Sequence, residues 1–175
     1  RRASLAAFKS RDTIRLGYNE MRSHTTLDIE RCLVLEPALD EKTRQLRPFL
    51  PRLLPDNKGV GIMLQHVDGA TDMILTGPYG DKRGKLSLQQ NEALAEMAET
   101  IGIARVSFRR DDFSDCEILF ARKPVRKKSG AITVDLPPGA FLQASAAGEN
   151  ALAALVTEWT RGAKKIADLF CGSGT

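Results

Sequence analysis

The residues with the clearest chemical meaning lie at the end of the 175-residue chain, where two glycines follow a short apolar run. Residues 165–167 have the composition of a strand, and Gly172 and Gly174 follow at the point where the chain must turn. Glycine at the carboxyl end of a parallel strand lets backbone N–H groups approach a ligand closely. The spacing predicts the opening of a nucleotide-type pocket. A dinucleotide enzyme, a methyltransferase and an ordinary tight turn all remain compatible with it.

Side chains that commonly act as nucleophiles or metal ligands are isolated in this sequence. The three cysteines are odd in number and widely spaced, so they do not form a disulfide framework, and we expect a reducing cytoplasm. Cys171 has no nearby side chain to act as its base, which argues against it as a nucleophile. His66 lacks a partner at a catalytic spacing, and the acids at 111–117 lack the calcium-loop pattern. His66 is therefore predicted to be structural, and the acids are predicted to form a solvated turn.

Positive charge is the third informative feature. The chain has 26 Lys and Arg against 22 Asp and Glu, a net charge of +4, which favours a polyanionic partner. Residues 122–130 contain five positive charges and no acid, including Arg126, Lys127 and Lys128. Arg1 and Arg2 belong to a group of arginines on the exposed side of the first predicted strands. Both groups predict contacts with phosphate, and the alternative is that they are only solvated surface charges.

Hydrophobic periodicity predicts the elements that position these residues. A helical pattern at 37–54 contains Pro48 and Pro51, which should bend or divide it. Ser87 is predicted to cap a helix at 88–101, and a further helix is predicted at 147–161. The basic run at 122–130 is predicted to be the tip of a hairpin. Strands are predicted at 1–9, 13–18, 25–29, 61–67, 72–76, 103–109, 116–121, 131–136 and 165–167.

The size of the chain allows one ordinary domain and part of another. No apolar run approaches the length of a membrane span, so we expect no membrane partner. The sequence begins at Arg1 without an initiator Met and stops directly after the glycine motif. We therefore expect a longer protein that has been cut at both ends.

Two further stretches carry a resemblance to a known family. Residues 137–145, with Phe141 and Gln143, are followed by the predicted helix and then by 168–174. This ordered set resembles the RNA uracil carbon-5 methyltransferases that use S-adenosylmethionine. Arg1 and its neighbours, together with residues 28–37 around Cys32, resemble the central domain of the same family. The resemblance thus runs from one end of the chain to the other and is more specific than the glycines alone.

The resemblance implies a fold class and a domain boundary. It implies an α+β central domain at 1–136, followed at 137–175 by the first helix and strand of a Rossmann-like α/β methyltransferase domain. An oligonucleotide-binding barrel and a Cys-rich segment would precede Arg1, and most of the catalytic domain would follow Thr175. The family's catalytic cysteine and glutamate base would lie in that later part. We therefore expect no catalytic residue in this chain and no activity from the chain alone.

The resemblance also assigns roles to single residues. Gln143 would contact S-adenosylmethionine through its amide. The alternative is a structural glutamine whose side-chain amide hydrogen-bonds to the backbone. Cys32 would be the fourth ligand of a 4Fe-4S cluster, and the alternative is a buried structural thiol. Thr175 stands where many relatives have Asn. The full set expected at the cofactor comprises Gln143, Asp168, Phe170, Gly172, Gly174 and Thr175.

The implied activity is methylation of carbon 5 of a uridine in rRNA or tRNA by a monomeric cytoplasmic enzyme. The family reaction uses a covalent adduct between cysteine and uracil, methyl transfer and proton removal. The target base should be flipped out or already unstacked. Two other hypotheses stay open: a non-catalytic RNA-binding module, and a small-molecule methyltransferase or dehydrogenase that shares only the glycine loop.

Overall fold

The computed structural model describes residues 1–11, 13–23, 25–78, 85–169 and 172. Seven strands form one mixed sheet: β1 (Arg2–Ser10), β2 (Thr13–Asn19), β3 (Thr26–Asp28), β4 (Lys58–Val67), β5 (Ala70–Thr76), β6 (Arg105–Arg109) and β7 (Glu117–Ala121). Their order is β3-β2-β1-β4-β5-β6-β7. The β5–β6 pair is parallel, and the other neighbouring pairs are antiparallel.

The remaining elements within the described ranges are four helices and a second, smaller sheet. The helices are α1 (Pro37–Leu46), α2 (Leu50–Leu53), α3 (Leu88–Ile101) and α4 (Ala146–Trp159), with a 3-10 turn at Arg47–Phe49 between α1 and α2. The smaller sheet pairs β8 (Arg126–Ser129) with β9 (Ile132–Asp135) in an antiparallel hairpin. The expected α+β character of the first part of the chain is thus present as a mixed sheet with helices on one face.

The first strands show a clear division between a buried and an open face. In β1, Ala3, Leu5 and Ala7 are buried in the main core, and the residues between them are exposed or half-buried. Phe8 pairs with Arg15 of β2 and with Gly59 of β4. Side chains alternate along a strand, so this second face lies away from the helices. The predicted strands at 1–9, 13–18 and 25–29 are confirmed.

The helical layer covers the buried face of the sheet. Its core side chains include Leu39, Leu46, Leu50, Leu94 and Met97, which form one cluster with β1, β4, β5 and β6. The predicted break in the first helix is also confirmed. Proline has no N–H to donate and its ring clashes with the preceding turn. Accordingly, α1 ends at Leu46, immediately before the turn that contains the first of the two prolines.

Local sequence determines both ends of α3. The Ser87 hydroxyl accepts a hydrogen bond from the Gln90 amide at 3.2 Å, and the Gln90 side chain accepts one from the Ser87 amide at 2.9 Å. This reciprocal pair is a capping box. Gly102 ends the helix with φ +69°, a left-handed conformation that glycine adopts without steric cost. The helix has the predicted bounds and connects the parallel strands β5 and β6.

The structure corrects the prediction for the basic run at 122–130. Four of its nine residues form the strand β8, and the turn of the hairpin lies at the end of the run, around Gly130. Lys127 is 4% exposed, because its ammonium group meets a carboxylate inside the molecule. Val125 and Leu136, on either side of the hairpin, belong to a second core cluster with Val67 and Leu142. A run of like charges therefore does not mark an entirely solvated loop here.

The end of the chain also differs from the prediction. α4 forms close to the predicted place, but residues 165–167 are not a strand. A strand needs a neighbour for its backbone N–H and C=O groups, and no neighbour pairs with this segment among the described residues. Ile166 and Leu169 are accordingly exposed. The described helices include none with the length and hydrophobicity of a membrane span.

Candidate functional site

The segment before α4 is anchored tightly on the outer face of the sheet. A Cβ atom at Gly139 would come within 3.1 Å of the Ile74 side chain, and φ at this glycine is +71°. The Gln65 side-chain amide donates a hydrogen bond to the Ala140 carbonyl at 2.7 Å. Leu142 is 5% exposed in the second core cluster. The backbone that carries the predicted cofactor residue is therefore held from three directions.

Two side chains of this anchored segment remain accessible to a ligand. Phe141 is 71% exposed, and Gln143 is half-buried, on either side of the buried Leu142. Ser145 then caps α4 by accepting a hydrogen bond from the Gly148 amide at 3.1 Å. A glutamine amide in this setting can still both donate and accept hydrogen bonds. Gln143 thus has the position and the chemistry to contact an exposed ligand.

The other predicted cofactor residues are only partly described. Asp168 and Gly172 are exposed, and Gly172 has φ +57°, the conformation that the predicted turn requires of a glycine. Phe170, Gly174 and Thr175 lie outside the described residues, as does Cys171. Within the described part of the chain, no hydrogen bond or ion pair joins Gln143 to Asp168. The structure therefore shows the glutamine side of the predicted pocket in detail and little of its glycine loop.

A buried carboxylate in the first turn of α4 gathers two of the residues predicted to contact RNA. The Arg1 guanidinium is 2.6 Å from Glu149 Oε2, and the Lys127 ammonium bonds to Glu149 Oε1. Burial alone would raise the pKa of Glu149, but the hydrogen bonds from Arg1 and Lys127 outweigh it and lower the pKa. Arg1 and Lys127 are thus held in an internal ion pair rather than on the open surface.

A second buried ion pair lies under the same segment. Arg105 Nε and Nη2 lie 2.9 Å and 2.8 Å from the two carboxylate oxygens of Asp72, so the pair is bidentate. Arg105 Nη1 also donates to the Leu136 carbonyl at 2.8 Å. Asp72 and Arg105 are 2% and 7% exposed. The pair joins the parallel strands β5 and β6 and ties them to the chain just before the glutamine segment.

Sequence reasoning did not single out Asp72, Arg105 or Glu149. A signal for the first two was present, since Asp72 directly precedes the apolar run 73–75 in its strand and Arg105 directly precedes Val106. A buried charge is almost always paired, so two such strands imply a pair between them. For Glu149 the signal is weaker, because an acid in the first turn of a helix is ordinary.

The remaining predicted RNA contacts lie on the surface. Arg2 and Lys128 are exposed, and Arg126 is exposed with its Nε 2.6 Å from Asp135 Oδ1 across the hairpin. The Lys128 backbone amide donates to Asp68 Oδ2 at 2.7 Å, and the Lys128 side chain is on the surface. These three cations keep the accessibility that a phosphate contact needs.

Cys32 lies in the loop before α1 and is partly buried. Its Sγ atom is 3.6 Å from the Tyr18 hydroxyl, and its backbone amide donates to Asp40 Oδ1 at 2.8 Å. Burial, with a further contribution from Cys32, raises the pKa of Tyr18 to about 12. No group of three or more metal-binding side chains occurs in the described ranges. This chain therefore offers a single, well-oriented thiol at this position.

Comparison with known proteins gives a consistent result over the whole chain. No protein-family model matches it. It is 35% identical over 175 residues to an uncharacterized RNA methyltransferase of Zymomonas mobilis, covering 100% of this chain and 42% of the relative. An uncharacterized RNA methyltransferase of Brucella melitensis is 33% identical, with 100% and 40% covered. The chain is thus similar in sequence to RNA methyltransferases. It spans about two fifths of the length of these curated relatives.

Two further RNA methyltransferases are more specific in their names. A 23S rRNA (uracil(1939)-C(5))-methyltransferase of Pectobacterium carotovorum is 28% identical over 178 residues, with 99% of this chain and 38% of that protein covered. A tRNA (uracil-54, C5)-methyltransferase of Pyrococcus abyssi, solved with S-adenosyl-L-homocysteine, superimposes with a TM-score of 0.61. That match covers 92% of this chain and 40% of the other at 15% identity, so it speaks for the fold alone. The resemblance predicted from the motifs is confirmed.

Proposed function

We propose that the protein containing this chain transfers a methyl group from S-adenosylmethionine to carbon 5 of a uridine in rRNA or tRNA. The observation that carries the proposal is the anchored glutamine segment, in a chain that aligns over its whole length with RNA methyltransferases. Two of the similar proteins are named for carbon-5 methylation of uracil. Their names differ in the RNA, so both RNA classes remain within the proposal.

The residues of this chain fit one side of a cofactor site. Gln143 projects beside a fixed backbone, and the positive φ at Gly172 is compatible with a turn that approaches a ligand closely. Together with Asp168, Phe170, Gly174 and Thr175, they would hold S-adenosylmethionine, whose sulfonium supplies an activated methyl group. In this proposal residues 1–136 form the RNA-facing central domain and 137–175 open a Rossmann-like methyltransferase domain.

We also propose that Cys32 is one ligand of a 4Fe-4S cluster. Thiolates are the usual ligands of such clusters, and the Cys32 loop is oriented by Asp40 through the Cys32 amide. The other three ligands would lie outside residues 1–175. We further propose that the longer protein is a cytoplasmic monomer and that the target uridine leaves its stack before methylation.

Methyl transfer by the longer protein tests the proposal directly. The protein would be incubated with labelled S-adenosylmethionine and with rRNA or tRNA from cells that lack the enzyme, and the product would be analysed as nucleosides. We expect 5-methyluridine. Replacing Gln143 with Ala should weaken cofactor binding about tenfold, because loss of a hydrogen bond of about 1.4 kcal/mol corresponds to that factor.

The exposed Gln89 of α3 provides the matched control, and Gln89→Ala should leave both binding and transfer unchanged. The 175-residue chain alone should transfer no methyl group. RNA binding by the longer protein without any 5-methyluridine would instead favour the non-catalytic RNA-binding module. Activity on a small molecule would favour the third hypothesis.

A further inference from the structure

A groove runs across strands β2, β1 and β4 on the face of the sheet that the helices do not cover. It has a volume of about 720 Å³ and is lined by residues of these strands and of β3. The lining includes Ser4, Ala6, Phe8, Asn19, Gly59 and Gly61. The glutamine segment covers the face farther along the sheet, at Gln65 and Ile74, and leaves this part open.

The aromatic ring in the groove has space on one side. Phe8 is half-buried and is not part of either core cluster. Its cross-strand neighbour on β4 is Gly59, and a Cβ atom placed there would meet nothing within 4 Å. Its neighbour on β2 is Arg15, which is exposed. A planar group can therefore lie against Phe8 above Gly59, within reach of a guanidinium.

The charge of these strands identifies the kind of partner. β1, β2 and β4 contain Arg2, Lys9, Arg15 and Lys58 and no Asp or Glu. Arg2 and Arg15 lie on the groove side, as their register shows. Lys9 turns to the opposite face, where its ammonium is 2.9 Å from Asp56. The groove is thus neutral and partly aromatic at its floor and positive at its edges.

We infer that this groove binds a single-stranded segment of RNA, with one base stacked on Phe8 and a neighbouring phosphate against Arg15. Aromatic side chains on an open sheet stack unpaired bases, and flanking cations hold the backbone. The bases of a duplex are already stacked on each other, so a duplex would gain only the charge contacts. The inference rests on the proposed RNA substrate and adds a surface away from the glutamine segment.

Binding of a short RNA to the 175-residue chain tests the groove without any methyl transfer. A labelled uridine-rich single strand of about eight nucleotides should bind more tightly than a duplex of the same length. Phe8→Leu should weaken binding of the single strand about tenfold, which corresponds to the usual value of one base–aromatic stack. Phe8→Tyr should retain the affinity, because a tyrosine ring stacks equally well. Gly59→Val should reduce it by filling the space beside the ring.

The exposed Phe113 in the loop between β6 and β7 supplies the matched control, and Phe113→Leu should not change the affinity. Ultraviolet crosslinking of the unaltered chain to the same RNA gives a readout that does not depend on any variant folding. The tryptic peptide 3–9, which contains Phe8, should carry the crosslinked nucleotide.

Three results would overturn the inference. They are absence of binding to the single strand, an affinity that Phe8→Leu leaves unchanged, and crosslinks confined to peptides other than 3–9. If the longer protein methylates RNA but the chain fails these tests, the proposed function stands and the inference about the groove is wrong. If the chain passes these tests but the longer protein does not methylate RNA, the groove inference stands and the proposed function is wrong.

Discussion

The Asp72–Arg105 pair shows how a single charged residue can be accommodated in a buried strand. Both side chains are almost fully enclosed, and the bidentate contact satisfies both carboxylate oxygens. The third guanidinium contact goes to the Leu136 carbonyl, at the boundary before the glutamine segment. A buried pair of this kind gains little net free energy over apolar residues, but removal of one partner leaves an uncompensated charge.

We therefore expect Arg105→Met to lower the free energy of unfolding by about 3–5 kcal/mol. The exposed pair between Arg126 and Asp135 is the matched control, and Arg126→Met should cost at most about 1 kcal/mol. Urea unfolding of both variants, followed by circular dichroism, measures the difference. Adding Asp72→Leu to Arg105→Met should recover part of the stability. Equal costs for the buried and the exposed pair would contradict this account.

At the scale of the element, α4 is held within this 175-residue chain by its first turn more than by its apolar face. Ser145 caps it, and Glu149 binds Arg1 and Lys127. Further along, Leu152, Leu155 and Val156 are 50%, 42% and 51% exposed. Packing of an apolar face usually supplies most of a helix's stability. Here the ion pairs of Glu149 with Arg1 and Lys127 help to fix the start of the helix.

This role makes the attachment of α4 sensitive to pH. Because pairing lowers the pKa of Glu149, the contribution of Glu149 to stability is complete above its ordinary value of 4.5 and is lost as the pH falls through the folded value. Glu149→Gln should cost about 2 kcal/mol at neutral pH, and this difference from the unaltered chain should shrink in acid.

Urea unfolding over a range of pH values measures the effect of Glu149→Gln. Glu92→Gln, at an exposed position on α3, is the matched control and should leave the pH dependence of the unaltered chain in place. If the difference between Glu149→Gln and the unaltered chain stayed constant down to acid pH, ionisation of Glu149 would not be its source.

At the scale of the whole molecule, the positive charge is divided between paired and open sites. Lys127 and Arg1 share the carboxylate of Glu149, whereas Lys128 and Arg126 remain exposed on the β8–β9 hairpin, with Arg126 beside Asp135. The net charge of +4 therefore does not show which cations the hairpin offers to a polyanion. A phosphate contact there must come from the side chains that the fold leaves exposed.

Salt dependence of RNA binding distinguishes these roles. The double change Arg126→Glu and Lys128→Glu should reduce the slope of log Kd against log salt by about one for each phosphate that the hairpin no longer neutralises. Reversal of Arg52, an exposed residue of α2 paired with Glu96, tests whether reversing any surface charge has the same effect. Slopes that fall by the same amount per reversed charge at both places would show that the hairpin has no special role.

Much of the local structure follows from the sequence because its causes are local. Pro48 and Pro51 divide the first helix, and Ser87 and Gly102 set the ends of α3. The order of motifs also identified the RNA methyltransferase relatives. The predictions were wrong at the basic run and at residues 165–167, since pairing with a distant segment decides whether such stretches become strands.

The sequence by itself determined the break in the first helix and both ends of α3, because capping and proline geometry act over a few residues. Only the tertiary structure decided which charges are available. Glu149 meets Lys127 at 22 residues' distance in the chain and Arg1 at 148. No local pattern specifies such partners, because the pairing depends on how β1, β8 and α4 pack together and exclude water.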